Sequence, residues 1–107
     1  MFWDKDENLI KANDLARSEN LRDGIKLYEG MSYSEFLTSQ FEQKLYSIPK
    51  DFSLEKFVSK RLTERAELTS KSTKVRYKNG KTVIRTENKL DDGGILTILN
   101  DVTLSLI

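Results

Sequence analysis

Arg85 and Glu87 stand two residues apart in a stretch that alternates apolar and polar residues, and Arg61 and Arg65 stand four apart in a stretch of helical spacing. The first interval puts two side chains on one side of a strand, and the second puts two on one side of a helix. A guanidinium offers parallel N–H donors that grip a carboxylate or phosphate bidentately. Such residues can hold a small polar ligand, or they can pair among themselves as an internal ion network, and both readings stay open. Acid–base and nucleophilic chemistry are far more restricted. The chain has no histidine and no cysteine. That removes the usual general base near neutrality, the proximal ligand of histidine-held haem, thiolate nucleophiles, disulfides, and cysteine sites for zinc or iron–sulfur clusters. Ser-His-Asp and Cys-His catalysis cannot be assembled. Paired carboxylates remain, as at Asp91 and Asp92, but these lie in the run Asp91-Asp92-Gly93-Gly94 and read as solvated turn residues. No catalytic or metal-binding set is assigned.

The elements that must position these residues follow from periodicity. Leu54, Phe57, Val58 and Leu62 fall at i, i+3, i+4 and i+8, one face of an amphipathic helix predicted from Ser53 to about Leu68. Arg61 and Arg65 continue that stripe, while Lys56, Lys60, Glu64 and Glu67 face away. Upstream, Ser32-Tyr33-Ser34-Glu35 has the spacing of a capping box and opens a helix to about Lys44. Asn13 and Asp14 suit the start of a short helix over Leu15–Ser18. After Leu68 the period changes to two: Thr73, Val75 and Tyr77 alternate with Lys74, Arg76 and Lys78. Asn79-Gly80 then supplies a tight turn, Thr82 to Leu90 the next strand, and Ile95 to Leu99 a nearly continuous apolar one whose pattern implies cover on both faces. Met1-Phe2-Trp3 and Leu9-Ile10-Lys11-Ala12 read as a hairpin around a polar turn. Its first strand is short enough to suggest a natural chain that begins further upstream.

These elements give a single α+β domain over residues 1–107, with helices on one face of a five-stranded antiparallel sheet. The 107 residues are 37% hydrophobic and 33% charged, the skin of a soluble domain with a small core. No run approaches the ~20 apolar residues of a membrane span, and the expected location is cytoplasmic. Residues 1–55 carry 7 Lys/Arg against 11 Asp/Glu, and residues 56–107 carry 11 against 6. The basic half raises an alternative, a nucleic-acid-binding module using Lys56, Lys60, Lys71, Lys74, Arg76, Lys78 and Lys81. Aromatic residues do not interleave with these as a stacking platform requires, and nucleic acid is not the expected partner.

Three signatures in order resemble the PAS family. Trp3 to Asn13 is similar to the family's opening hairpin, which ends in an asparagine. Asn79-Gly80-Lys81 precedes a long strand that closes at Asp92-Gly93-Gly94. Asn100-Asp101-Val102-Thr103 is similar to the Asp-x-Thr that ends many PAS cores. The resemblance spans the chain and is closest to sensor modules of bacterial histidine kinases and nucleotide cyclases. It implies a PAS-like fold, a sensory or dimerising role rather than an enzyme, and a downstream effector, with Asp101 and Thr103 relaying a change out of the last strand. Asn13 takes the structural role of the family asparagine. With the family's strand direction, Ile95, Thr97, Leu99, Thr73, Val75, Tyr77, Val83, Arg85 and Glu87 face the helices. Arg61, Tyr77, Arg85, Glu87, Thr97 and Leu99 then form the candidate ligand pocket. Ile84, Leu96 and Ile98 face outward with Thr86 and Asn88, and an apolar patch there calls for a covering helix or a second copy, so a homodimer is expected. Arg85 departs from the apolar residue expected of many relatives. Cysteine-linked chromophores and histidine-ligated haem are excluded by composition; a non-covalent flavin, a small metabolite and an empty core all remain, and the cofactor is unknown.

Overall fold

A polar side chain at each break in the chain starts a helix. Asn13 Oδ1 accepts from the Ala16 N–H at 2.8 Å, Ser32 Oγ from Glu35 N–H at 3.1 Å, and Ser53 Oγ from Lys56 N–H at 3.2 Å. Each satisfies a donor that the first turn of a helix leaves without an internal partner. The computed structural model describes residues 1–103, and in it these caps open α1 (Asp14–Arg22), α2 (Tyr33–Glu42) and α3 (Leu54–Ala66). The capping box at Ser32 is half formed. The Glu35 carboxylate takes the hydroxyls of Ser32 and Tyr28. Helix α1 outruns the four residues expected of it. Leu15 and Leu21 are both 63% exposed, so an apolar stripe is not what holds it. Its cap does, together with the Asn20 side-chain amide, which donates to the Ala16 carbonyl at 2.8 Å.

Five strands complete the domain: β1 (Phe2–Trp3), β2 (Leu9–Lys11), β3 (Ser70–Arg76), β4 (Thr82–Lys89) and β5 (Ile95–Asp101). They form one sheet in the order β2-β1-β5-β4-β3 with every pair antiparallel. The three helices lie between β2 and β3 in sequence, which makes the architecture α+β. Gly80 closes the β3–β4 hairpin with φ +91°, and its N–H donates to the Tyr77 carbonyl at 3.0 Å. A positive φ of this kind is readily adopted by glycine. Gly94 is glycine for a different reason, since a Cβ there would meet the Trp3 carbonyl at 2.8 Å. Long pairing of β4 with β3 and β5 gives an unbroken register from Ser70↔Asn88 to Arg76↔Thr82 and from Val83↔Asp101 to Lys89↔Ile95.

Alternation along the strands sends one set of side chains to the helices. Trp3, Leu9 and Val83 join Ile25, Met31, Phe36 and Leu37 in the apolar core. The ring of Trp3 meets Tyr33 edge-on at 5.0 Å, a favoured geometry because the positive edge of one ring faces the negative face of the other. A second aromatic row runs Phe41, Phe57, Tyr46 and Tyr77, with centroids 5.3 to 5.9 Å apart. The opposite face of the sheet is less covered than the apolar run of β5 suggests: Ile98 is 51% exposed, while Leu96 and Ile84 are half-buried. Among the described residues, no helix is long and apolar enough to cross a membrane.

Candidate functional site

Helix α3 carries Phe57, Arg61 and Arg65 on successive turns of the side that meets the sheet, and the charged members of that stripe are held as firmly as the apolar ones. Arg65 is 1% exposed. Its Nε and Nη2 donate to the two carboxylate oxygens of Glu7 at 2.6 and 2.8 Å, and its Nη1 donates to Glu87 Oε2. The guanidinium lies 3.6 Å from the centroid of the Tyr33 ring, so aromatic faces replace part of the hydration it lost. Arg61 donates to Glu64 at 2.8 Å, to the Tyr33 hydroxyl at 2.9 Å and to Glu87 Oε1 at 3.1 Å. Glu64, expected to face away, turns back to make that contact. Thr97 Oγ1 on β5 adds a bond to Glu87 Oε2 at 3.3 Å.

Glu87 is therefore the hub of a buried network that joins α3, β4, β5 and the β1–β2 turn. Burial pushes its carboxyl up, and the fields of Arg65, Arg61 and Arg85 outweigh burial and hold it below its ordinary value. Burial likewise pulls Arg61 and Arg65 down, and their hydroxyl and carboxylate partners raise both above the ordinary arginine range. Glu87, Arg61 and Arg65 therefore stay charged at neutral pH. Glu7 reaches Arg65 from a backbone with φ +64°, a conformation uncommon outside glycine that persists only where surroundings impose it.

Arg85 is treated differently. Its Nε is ion-paired with Glu87 Oε1 at 3.6 Å, beyond hydrogen-bond reach, and, like the Arg61 Nε, is buried with no hydrogen-bond partner; unlike Arg61, Arg85 makes no hydrogen bond to Glu87. It stands at the head of a cleft of about 350 Å³ between α3 and β3, whose walls are the rings of Tyr46, Phe52 and Phe57 and whose rim carries Lys60, Arg61 and Lys71. Four cations line this cleft against one carboxylate, Glu64. The cleft thus combines aromatic walls with four cationic side chains.

The structure divides the six pocket residues expected from sequence into three settings. Arg61 and Arg85 reach the cleft. Glu87 and Thr97 are buried in the ion network, where the Glu87 oxygens are already engaged. Tyr77 and Leu99 line a void of about 20 Å³ behind Arg85, which is room for a single water. Gln40 and Tyr46 were not foreseen as site residues, Lys60 and Lys71 were foreseen only on a basic nucleic-acid-binding face and not in a pocket, and Glu7 was not foreseen at all. Lysines on the outward side of α3 and on an edge strand resemble any solvated charge, and Glu7 meets Arg65 across 58 positions of sequence.

Outside the cleft, Asn13 caps α1. Asp101 and Thr103 form a closing turn in which Thr103 N–H donates to Asp101 Oδ1 at 2.9 Å and Thr103 Oγ1 accepts from Thr82 N–H at 2.9 Å. These bonds from Thr103 hold the Asp101 carboxyl below its ordinary value. Lys56, Lys60, Lys71, Lys74, Arg76 and Lys78 are exposed. Lys71, Lys74 and Arg76 lie on β3, where charge on an edge strand discourages pairing with other chains. Lys81 belongs elsewhere, paired with Asp23 at 3.6 Å and lying over the Tyr77 ring. Asp92 accepts from Gly94 N–H at 2.8 Å as a turn residue. Among the described residues, no group of three or more carboxylates is placed to hold a metal ion. No protein-family model, curated protein or solved structure matches the chain.

Proposed function

We propose that the chain is a PAS-type sensory module that binds a small molecule bearing a carboxylate or phosphate on an apolar or aromatic body. The order β2-β1-β5-β4-β3 with all helices between β2 and β3 supports the fold assignment, as do the hairpin, Asn-Gly and Asp-x-Thr signatures. The observation that carries the ligand class is Arg85, a cation whose buried Nε makes no hydrogen bond and which lines an aromatic-walled cleft. An anion seated there completes the hydrogen bonding that Glu87 leaves unmade at 3.6 Å. Binding that draws Arg85 and Arg61 towards the cleft loosens their hold on Glu87, whose remaining partners Arg65 and Thr97 stand on α3 and β5. The strain then reaches the end of β5 at Asp101 and Thr103, from which a bacterial effector such as a kinase or nucleotide cyclase would be driven. The outer face at Ile84, Leu96 and Ile98 accommodates a second copy in this reading.

Native mass spectrometry of the purified domain, compared with its denatured mass, tests the proposal directly and reports the subunit count in the same spectrum. A discrete mass lost on denaturation, or saturable thermal stabilisation by members of an aromatic carboxylate and phosphate panel that Arg85→Ala abolishes, is the expected result. Stabilisation that survives Arg85→Ala unchanged, or no stabilisation by any member, overturns it.

A further inference from the structure

Two largely buried side chains that border the cleft between α3 and β3 keep unused hydrogen-bond donors. Gln40 on α2 is 7% exposed, and among the described residues its side-chain amide makes no hydrogen bond. The Arg85 side chain is 16% exposed, and among the described residues none of its N–H groups donates a hydrogen bond. Both residues line the cleft and also the void of about 20 Å³ behind it, so they meet at its floor. Buried polar groups are ordinarily paired, and a cation beside an amide is left ready for a carboxylate, which accepts from both. The surroundings of this floor are sorted along α3. Phe57, Arg61, Glu64 and Glu67 follow one another at about one turn apiece. Phe57 stands with the aromatic walls. Glu64 gives Oε2 to Arg61 at 2.8 Å, while its Oε1 accepts no hydrogen bond from an ion partner and the side chain is 38% exposed. Past Glu64 the cleft continues into a recess of about 270 Å³ that shares Arg61, Glu64 and Arg85 and adds the exposed Glu67. Aromatic rings, an anion-binding floor and an open carboxylate therefore follow in order.

We infer, on the reading of this cleft as a ligand site, that its ligand is a free α-amino acid with a large apolar side chain. The carboxylate lies on Arg85 and Gln40, the ammonium on Glu64 Oε1, and the side chain among the rings of Tyr46, Phe52 and Phe57. The spacing of the ligand's charges follows from the protein's. Arg61 and Glu64 touch at 2.8 Å, so a ligand that answers both carries its anion and cation close together, as on a single carbon. Charges then alternate in sign around the cluster, and each desolvated ion keeps an opposite neighbour. A phosphate monoester or a simple carboxylate brings only negative charge to Glu64. A simple amine meets Lys60, Arg61, Lys71 and Arg85 with no anion of its own. The α-amino acid satisfies the floor and Glu64 at once.

The test is nuclear magnetic resonance of the isotope-labelled 107-residue chain, titrated separately with L-phenylalanine, hydrocinnamate, which lacks the ammonium, phenethylamine, which lacks the carboxylate, and phenyl phosphate. The expected result is saturable binding of L-phenylalanine, read at the Gln40 side-chain amide and lost in Arg85→Ala. Hydrocinnamate should bind about tenfold more weakly, the worth of one hydrogen bond between charged groups, and phenethylamine should not saturate. Glu64→Gln, at a half-exposed position, removes the partner of the ammonium and should bring L-phenylalanine and hydrocinnamate to within about threefold of each other. Hydrocinnamate or phenyl phosphate binding as tightly as L-phenylalanine, and lost in Arg85→Ala, overturns the amino-acid assignment while the cleft stands as an anion site. A preference for L-phenylalanine that Glu64→Gln leaves unchanged overturns the assignment in the same way. Saturation by none of the four compounds, or binding that survives Arg85→Ala, overturns the ligand reading of the cleft along with it.

Discussion

The helix-facing side of the sheet is built in two ways at almost equal burial. At one end Leu9, Ile25 and Leu37 are each 1% exposed in a hydrocarbon core around Trp3; at the other Arg65 is also 1% exposed, in a network of ions. The hydrocarbon end gains from removing apolar area from water and asks only that volumes fit. The ionic end begins with a desolvation penalty and recovers it only while each charge keeps its partners. Equal burial thus hides unequal fragility: one end fails in proportion to the volume removed, and the other fails when a single partner is lost.

The largest expected effect comes from breaking the ionic end at its most connected point. Arg65→Ala takes the bidentate donor from Glu7 and one of the donors from the buried Glu87 and should cost about 3–5 kcal/mol, measured by urea unfolding. Replacing the group together, as Arg65→Met with Glu87→Leu and Glu7→Gln, should recover only part of that loss, because Arg61 keeps Glu64 while Arg85 loses the carboxylate beside it. A triple variant less stable than Arg65→Ala would show that the ions contribute more than mutual compensation. Next comes Leu37→Ala at the hydrocarbon end, expected to cost about 2–5 kcal/mol through lost transfer energy and an unfilled cavity.

Acid separates the two ends further. The Glu87 carboxyl sits below its ordinary value of 4.5 in the folded chain. In the window between the folded and unfolded values the unfolded chain binds more protons, so this contribution is complete above about pH 4.5 and is lost as pH falls through the folded value. Unfolding midpoints across that window should fall more steeply for the native chain and Leu37→Ala than for Glu87→Gln. Loss of the helix cap in Ser53→Ala should cost about 1 kcal/mol. Arg85→Ala should be the mildest of the set for stability, within about 1 kcal/mol, because Arg85 makes no hydrogen bond to Glu87. A large loss there would assign Arg85 to the network rather than to the cleft.

The same division marks what the sequence made legible. Caps at Ser32 and Ser53, the Asn79-Gly80 turn and the strand periods are local signals that act over a few residues, and they located most elements to within a turn. Period-two parity also placed Arg85 and Glu87 on a common side. It carried no information on which carboxylate oxygens were engaged, and so an internal ion network and a ligand pocket stood as alternatives for the same residues, where the chain builds a network around Glu87 and a separate cleft. Helix α1 was underestimated because its stability comes from Asn13 and Asn20 rather than from an apolar stripe. Glu7 was missed because its partner is set by the tertiary fold alone.

The single tryptophan stands where the two ends meet. Trp3 is wholly buried, edge-on to Tyr33, with the Arg65 guanidinium 5.7 Å from its ring and its indole N–H without a hydrogen-bond partner. An indole held in hydrocarbon and free of hydrogen bonding emits at the short-wavelength end of its range, and a cation near the ring shifts that emission with its position. The molecule consequently carries a built-in optical gauge. A displacement of Arg65 relative to the ring therefore changes the colour of the Trp3 emission.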